Sequence, residues 1–389
     1  MKILFLSENY FPNVSGVPVV VKYLAEGLHG LGHNVTIATS CYGNTPREEI
    51  IGGVKIYRFD LHKNHFDLYS GEIENYKQFV LGFQCDVIIM ECLQCVVTDT
   101  LLPYLDEIKA KKILHVHGIS GLRLRPLEKK SDLLHSAANT WHWLHSQWFF
   151  HRYLPRYLSQ FDKILCLSEV DDTIPYCKKF NIKAGILPNA VEDSFILPSN
   201  PVEQPDIRAL NKPYFLSVAY YSQIKNQIGI LEEFYKTGIK DCAMVFIGPE
   251  KNEYYEKVLS ANREFEAKYG PRQVLFLTNV ERRFIPDIIG NAKLYLVGST
   301  IEQFSIAMIE TMAKGIPFVS TNVGNAKMLP GGIIVDNICV MYDKIQLLMQ
   351  DDRLYKHLGF KGHEYVSEFC IRSKVVKQLE VLMKKLINN

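Results

Sequence analysis

Two carboxylates, Glu302 and Glu310, stand eight residues apart in STIEQFSIAMIETMAKGIPFVSTNVG, residues 299–324. An apolar, strand-like run at Leu294–Val297 ends just before them, and a helical pattern opens near Ser305. The first turn of a helix presents unpaired backbone N–H groups and a partial positive charge, so the backbone at Phe304, Ser305 and Ile306 suits a phosphate. Glu310, about one turn into the helix, can accept paired hydrogen bonds from a ribose diol. Glu302, in the loop, can hold hydroxyls of a second sugar, since both polyols are donors. The same spacing also suits a solvated loop residue and a surface helix residue. Lys225, in SVAYYSQIKNQIGILEEF, follows a strand by a short loop and opens a helix. Its ammonium can neutralise a diphosphate leaving group, or it can be a solvated surface lysine. In HVHGISGLRLR, His115 and His117 close a strand. A histidine there can donate to a sugar hydroxyl or serve as a satisfied structural residue.

Positioning these groups takes more than one core: 389 residues exceed what a single hydrophobic core usually serves. Lys2–Leu6, Val35–Ala38, Val54–Arg58, Val87–Met90, Lys112–His115 and Lys163–Leu167 read as strands separated by helical patterns, the first over Val19–Leu31. A second series follows at Tyr214–Val218, Cys242–Ile247, Val274–Leu277, Leu294–Val297, Pro317–Ser320 and Gly332–Val335. Alternating strands and helices predict α/β architecture with doubly wound parallel sheets. A proline-rich lapse between Asp193 and Pro213 reads as a linker. The expected domains are 1–197 and 198–365, with a helix at 366–389 packing back across the hinge. Two such sheets leave a cleft at the carboxyl ends of their strands, where ligands of this architecture sit.

Composition excludes more than it selects. Lys plus Arg number 44 against 42 Asp plus Glu, so no global field points to nucleic acid. Nine scattered cysteines make no disulfide framework, and the lone C-x-x-C at Cys92 and Cys95 has no second ligand pair, so buried thiols are expected. The first residues read as a strand rather than a signal peptide, no run spans a bilayer, and a cytoplasmic location is expected. The segment WHWLHSQWFFHRYLPRY, residues 141–157, fits either an interfacial helix or one covering the first sheet; modest charge and Pro155 favour the latter.

The block around Glu302 and Glu310 resembles the E-x7-E motif of retaining GT-B glycosyltransferases of family 4, the "group 1" transferases, with AKGIPFVSTNVG as its continuation. FPNVSGVPVVVKYLAEGLHGLGHNVTIATS resembles the family's opening loop and helix, and ILCLSE, ILPNAVEDSF, VFIGP and FLTNV fall in its order over essentially the whole chain. The resemblance implies a GT-B fold of two Rossmann-like domains. It implies donor binding by Gly16, Lys225, Glu302, Phe304, Ser305, Ile306 and Glu310, and base contacts from the backbone at Asn279 and Val280. It also prefers His117, directly before Gly118, to His115 as the histidine beside the donor sugar. The family's usual arginine five residues before its lysine is Tyr220 here, which shifts charge stabilisation towards Lys225, the Tyr220 hydroxyl and backbone N–H groups. There is no Asp-x-Asp in the chain, so no metal cofactor is expected. The implied reaction moves a sugar from a nucleotide-sugar donor, UDP-linked by family frequency, to a glycan, lipid-linked or small-molecule acceptor in polysaccharide or glycoconjugate synthesis. A peripheral membrane contact stays open. The alternatives are a GT-B nucleotide-sugar epimerase and a non-catalytic GT-B partner subunit. A dehydrogenase is disfavoured because no G-x-G-x-x-G follows the first strand.

Overall fold

A computed structural model describes residues 1–13, 16–64, 68–119 and 133–388, leaving aside the side chains of 133–139. The chain forms two compact units, Met1–Pro188 with Val375–Asn389, and Asn189–Lys374.

The first unit carries β1 (Lys2–Ser7), β2 (Asn34–Ser40), β3 (Glu48–Ile51), β4 (Val54–Phe59), β5 (Leu61–Lys63) and β6 (Tyr69–Gly71). It continues with β7 (Val87–Glu91), β8 (Lys111–His115), β9 (Lys163–Cys166) and β10 (Gly185–Ile186). Eight of these build one sheet in the order β10-β9-β8-β7-β1-β2-β4-β3, and β5 pairs with β6 apart from it. Neighbours in the large sheet run parallel except β3 against β4. The central strand β1 is buried from Ile3 to Ser7, the continuous apolar reading of a strand covered on both faces. The helix Gly16–Gly30 turns Val20, Val21, Leu24, Ala25 and Leu28 inward at helical spacing. It begins three residues before the expected Val19. The final helix, Arg372–Asn388, returns residues from Val375 onward to this unit, where Glu380 Oε1 lies 3.1 Å from His33 Nε2.

The second unit carries β11 (Tyr214–Val218), β12 (Ala243–Gly248), β13 (Val274–Thr278), β14 (Leu294–Val297), β15 (Phe318–Thr321) and β16 (Gly332–Val335). They form a six-stranded sheet in the order β13-β12-β11-β14-β15-β16, parallel throughout. Chain order reverses between β11 and β14. The loops leaving the carboxyl ends of those two strands therefore flank the crevice where open parallel sheets bind ligands. They hold Lys225 and Glu302.

The structure departs from the sequence expectations in several places. The division falls after Pro188 rather than at 197/198, because Val191 exchanges backbone hydrogen bonds with Cys370 and Arg372, and Phe195 is fully buried in the second unit. The proline-rich segment is not a bare linker: Gln204 caps a short helix at Pro205–Arg208. The same Val191 bridge interrupts the expected final helix at 366–389, whose residues fall in two helices, Asp352–Phe369 and Arg372–Asn388. The aromatic segment 141–157 is divided rather than wholly core. Phe149, Phe150 and Leu154 are buried, while Trp141, Leu144 and Trp148 are exposed. Strands β3, β5, β6 and β10 escaped the sequence reading because they are short edge or ribbon strands without an apolar run.

Candidate active site

In the second unit the site begins with two loops tied by their backbones. Thr300 N–H donates to Ile224 O at 2.8 Å, which sets Lys225 beside Glu302. Lys225 Nζ and Glu302 Oε1 form an ion pair, and Ser299 Oγ donates to the same oxygen at 3.0 Å. Glu302 is thus an engaged, half-buried carboxylate rather than a solvated loop residue. Asn226, next to the lysine, adopts φ +51° and caps the helix Gln227–Lys236 by accepting from Gly229 N–H at 3.1 Å. Gly324 closes the other side. Its φ is +51°, and a Cβ there would lie 2.6 Å from Gln303 O and 2.9 Å from Glu302 O. Only glycine lets that turn press against the Glu302 loop.

Ser305 caps the helix Ile306–Ala313 through its side chain, which accepts from Met308 N–H. Phe304 is buried behind it, and the backbone of Ser305 and Ile306 opens the helix, as phosphate binding requires. Glu310 is only 3% exposed, so it is not a surface helix residue. Its carboxylate pairs with Arg282, and Arg282 Nε lies 3.7 Å from Glu192 Oε1, to which Arg372 also donates at 3.2 Å. The Arg282 guanidinium sits 5.1 Å from the centre of the Phe195 ring. Burial raises the Glu310 carboxyl above its ordinary value, and Arg282 opposes that rise. Sequence reasoning missed this network. Its one visible signal was NVERRF, which places Arg282 directly after the strand end that holds Asn279 and Val280.

Asn279 is exposed, with φ +55°, and its N–H donates to Pro249 O at 3.2 Å; Val280 follows it half-buried. Tyr220 is 47% exposed, and its hydroxyl lies 3.5 Å from Glu250 Oε1. A cavity of about 810 Å³ in this unit is lined by Tyr235, Lys236, Lys240, Tyr269, Arg272 and Tyr342. Apart from Tyr342, near the start of the helix Met341–Gln350, these residues precede β12 and β13 or close the helices before them, so the cavity opens at the amino ends of the strands, opposite the loops just described. None of the residues singled out from the sequence lines it.

In the first unit, β7 and β8 end on Glu91 and His115, and His117 follows. His117 Nε2–H donates to Glu91 Oε2 at 2.7 Å, and His115 Nδ1 stands 2.9 Å from the same oxygen. All three are nearly or wholly buried. Burial alone would raise the Glu91 carboxyl, but the two imidazoles outweigh it and hold it down to about 2. Burial pushes His117 down, and His115 adds to that, against the pull of Glu91. Gly118, at φ +108°, lets the chain turn immediately after His117. Sequence reasoning stopped the strand at Met90 and so missed Glu91. Gly16 begins its helix exposed, and among the described residues a Cβ on it would meet nothing within 4 Å. Val14 and Ser15 of the opening loop, and 120–125 of the histidine motif, lie outside the described residues.

Among the described residues, Glu91, His115 and His117 are the set whose ligand atoms come close enough for a metal ion, all within 4.8 Å of one another. Their geometry fits protons better. Ligands about 2.1 Å from a tetrahedral ion stand ~3.4 Å apart, whereas the two N···O separations here are 2.7 and 2.9 Å. The cysteines of the C-x-x-C are free, and burial drives both thiols far above their ordinary value, away from thiolate chemistry.

Two family models match the chain, one on each side of residues 193–201. "Glycosyltransferase Family 4" matches residues 14–192 and "Glycosyl transferases group 1" matches 202–363. The chain is a GT-B glycosyltransferase of this family. Over 362 residues it is 23% identical to a subunit of the phosphatidylinositol N-acetylglucosaminyltransferase of Arabidopsis thaliana, spanning 86% of this chain and 70% of that protein. Over 193 residues it is 24% identical to the N-acetyl-alpha-D-glucosaminyl L-malate synthase of Bacillus anthracis, covering 46% of this chain and 49% of that one. Sucrose-phosphate synthase from Thermosynechococcus elongatus superposes with a TM-score of 0.74 at 15% identity, covering 100% of this chain and 99% of that one. Anabaena HepE in complex with UDP and glucose superposes with a TM-score of 0.69 at 13% identity, covering 99% of each. These structural likenesses establish the glycosyltransferase's fold.

Proposed function

We propose that this glycosyltransferase is a retaining, metal-independent enzyme that takes its sugar from a UDP-linked donor. The C-terminal unit binds the donor: Glu310 holds the ribose diol, the helix N-terminus at Ser305 and Lys225 meet the diphosphate, and Glu302 holds the transferred sugar. The N-terminal unit binds the acceptor and carries His117, oriented by Glu91. The observation that supports this reading is the Lys225–Glu302 ion pair, formed by the loops after β11 and β14 where strand order reverses, with the Ser305-capped helix and its buried Glu310 directly following. The acceptor oxygen attacks the anomeric carbon on the face from which the diphosphate leaves. As the bond to phosphate breaks, the acceptor proton passes to the departing phosphate oxygen, and Lys225 neutralises the growing charge.

UDP is favoured because the HepE structures hold it. N-acetylglucosamine is the first sugar to test, since both curated relatives carry it in their names. One of those names also specifies a lipid acceptor, phosphatidylinositol, which keeps lipid-linked acceptors beside glycans and small molecules in polysaccharide or glycoconjugate synthesis. The test is thermal unfolding with UDP, GDP, ADP and their sugar conjugates, each with and without EDTA. At about a hundred times its dissociation constant a ligand stabilises by ~2.7 kcal/mol, a shift of several degrees. A UDP-specific shift that survives EDTA, followed by product of retained anomeric configuration by NMR, supports the reading. No shift with any nucleotide refutes it.

A further inference from the structure

The helix Leu133–Trp148 presents a face that donor chemistry does not use. Trp141, Leu144 and Trp148, at helical spacings of three and four, are 49%, 51% and 50% exposed. The other side of the segment is anchored: Ser146 is buried and accepts from Gln94 Nε2 at 2.8 Å, and Phe149 and Phe150 are buried. Trp148 stacks on Tyr153 with ring centres 5.1 Å apart, so the outward indole is held in place. A π-helical turn at Phe149–Tyr153 follows, with His151 and Arg152 exposed and Arg156 exposed just beyond. Between Asp132 and Asp162 the sequence has no acidic residue. A stripe of tryptophan and leucine on the helix, followed within two turns by exposed His151, Arg152 and Arg156, combines apolar and positive character in a segment whose own sequence carries no carboxylate. That combination is what the headgroup region of an anionic bilayer accommodates: indoles at the interface, guanidinium groups on lipid phosphate.

We propose that this face docks the protein on an anionic phospholipid surface, with Trp141, Leu144 and Trp148 entering the headgroup boundary and Arg152 and Arg156 meeting lipid phosphates. No helix among the described residues is long and apolar enough to cross a membrane, and the contact proposed is peripheral. The same helix is joined through Gln94 to the loop that follows Glu91, the carboxylate that orients His117. Docking there would bring a lipid-linked acceptor to the histidine end of the first unit. That last step rests on the transferase reading; the docking does not.

The chain's three tryptophans, Trp141, Trp143 and Trp148, all lie on this helix, so intrinsic fluorescence reports on it alone. The full-length protein is mixed, without donor, with vesicles of phosphatidylcholine alone or phosphatidylcholine with phosphatidylglycerol. Binding is read by co-sedimentation and tryptophan emission. Expected are binding to the mixed vesicles, a blue shift of the emission, and loss of both as salt rises. An Arg152→Glu, Arg156→Glu variant keeps all three fluorophores and should lose partition by at least roughly fivefold per charge. Leu144→Ser with Trp148→Ser should also release the protein from vesicles while leaving its melting temperature near that of the wild type. Absence of co-sedimentation and of any shift with the mixed vesicles overturns the proposal. So does a dimer by light scattering that the Leu144→Ser, Trp148→Ser variant dissolves, which would make the face an interface between two copies. An emission shift produced by soluble oligosaccharide but not by vesicles would overturn it in favour of a glycan-stacking surface.

Discussion

Replacing Glu310 with Gln separates its ligand role from its structural one. The carboxylate is 3% exposed and paired with Arg282, whose side chain is 51% exposed and has Glu192 within 3.7 Å. Glutamine keeps the shape and one acceptor oxygen, so the ribose diol loses one charge-assisted hydrogen bond. Such a bond contributes about 1.5–3 kcal/mol, a fall in nucleotide affinity of roughly 10- to 150-fold. The stability change should be smaller than the about 3–5 kcal/mol for removing one partner of a fully buried pair, because Arg282 retains Glu192 and solvent. Titration calorimetry with the nucleotide that stabilises the wild type gives the first quantity, and urea unfolding the second. Wild-type affinity in a folded Glu310→Gln variant would refute the ribose assignment. An affinity loss matched by a stability loss above about 3 kcal/mol would refute the separation of roles.

Three further outcomes follow from the geometry. Arg282→Ala leaves Glu310 buried without its cation, so the carboxyl rises further above its unfolded value. The variant's deficit in chemical unfolding should therefore be larger near about pH 8 than near about pH 5, where protonation relieves it. Asp99 is pushed up to about 7 by burial, although Tyr69 Oη–H donates to its Oδ2 at 2.7 Å. The folded state holds a proton that the unfolded state gives up near 3.8, so stability falls as pH rises from there through about 7, by up to ~4 kcal/mol. Asp99→Asn should flatten that slope in unfolding free energy against pH. Gly324→Ala forces a Cβ against the Glu302 and Gln303 carbonyls at φ +51°. It should cost about 1–3 kcal/mol and lower sugar transfer with circular dichroism unchanged.

The elements of both sheets were legible where the signal was local. Apolar runs such as β1 and β12 are buried on both faces and need no partner to be recognised. The Glu302–Glu310 spacing was legible for the same reason, since a strand end, a serine cap and one helical turn lie within a dozen residues. What surrounds these carboxylates was not. Arg282 reaches Glu310 from 28 residues away, and His117 finds Glu91 from 26. The second contact exists because β7 and β8 are neighbours in the sheet, the first because the helix Ile306–Ala313 packs against the turn and short helix that follow β13, and neither has a period to read. The same holds for Val191, which breaks the last helical stretch by pairing with Ile371. In residues 141–157 the aromatic content was plain, but only packing decides which rings face the core, because burial depends on what the opposite side of the helix meets. Sequence by itself determined the family, the two-sheet frame and the Glu302–Glu310 spacing, all written in short-range patterns of polarity. Tertiary structure alone decided how Glu310 is charged, because ionisation answers to burial and to partners that the chain keeps far apart until it folds.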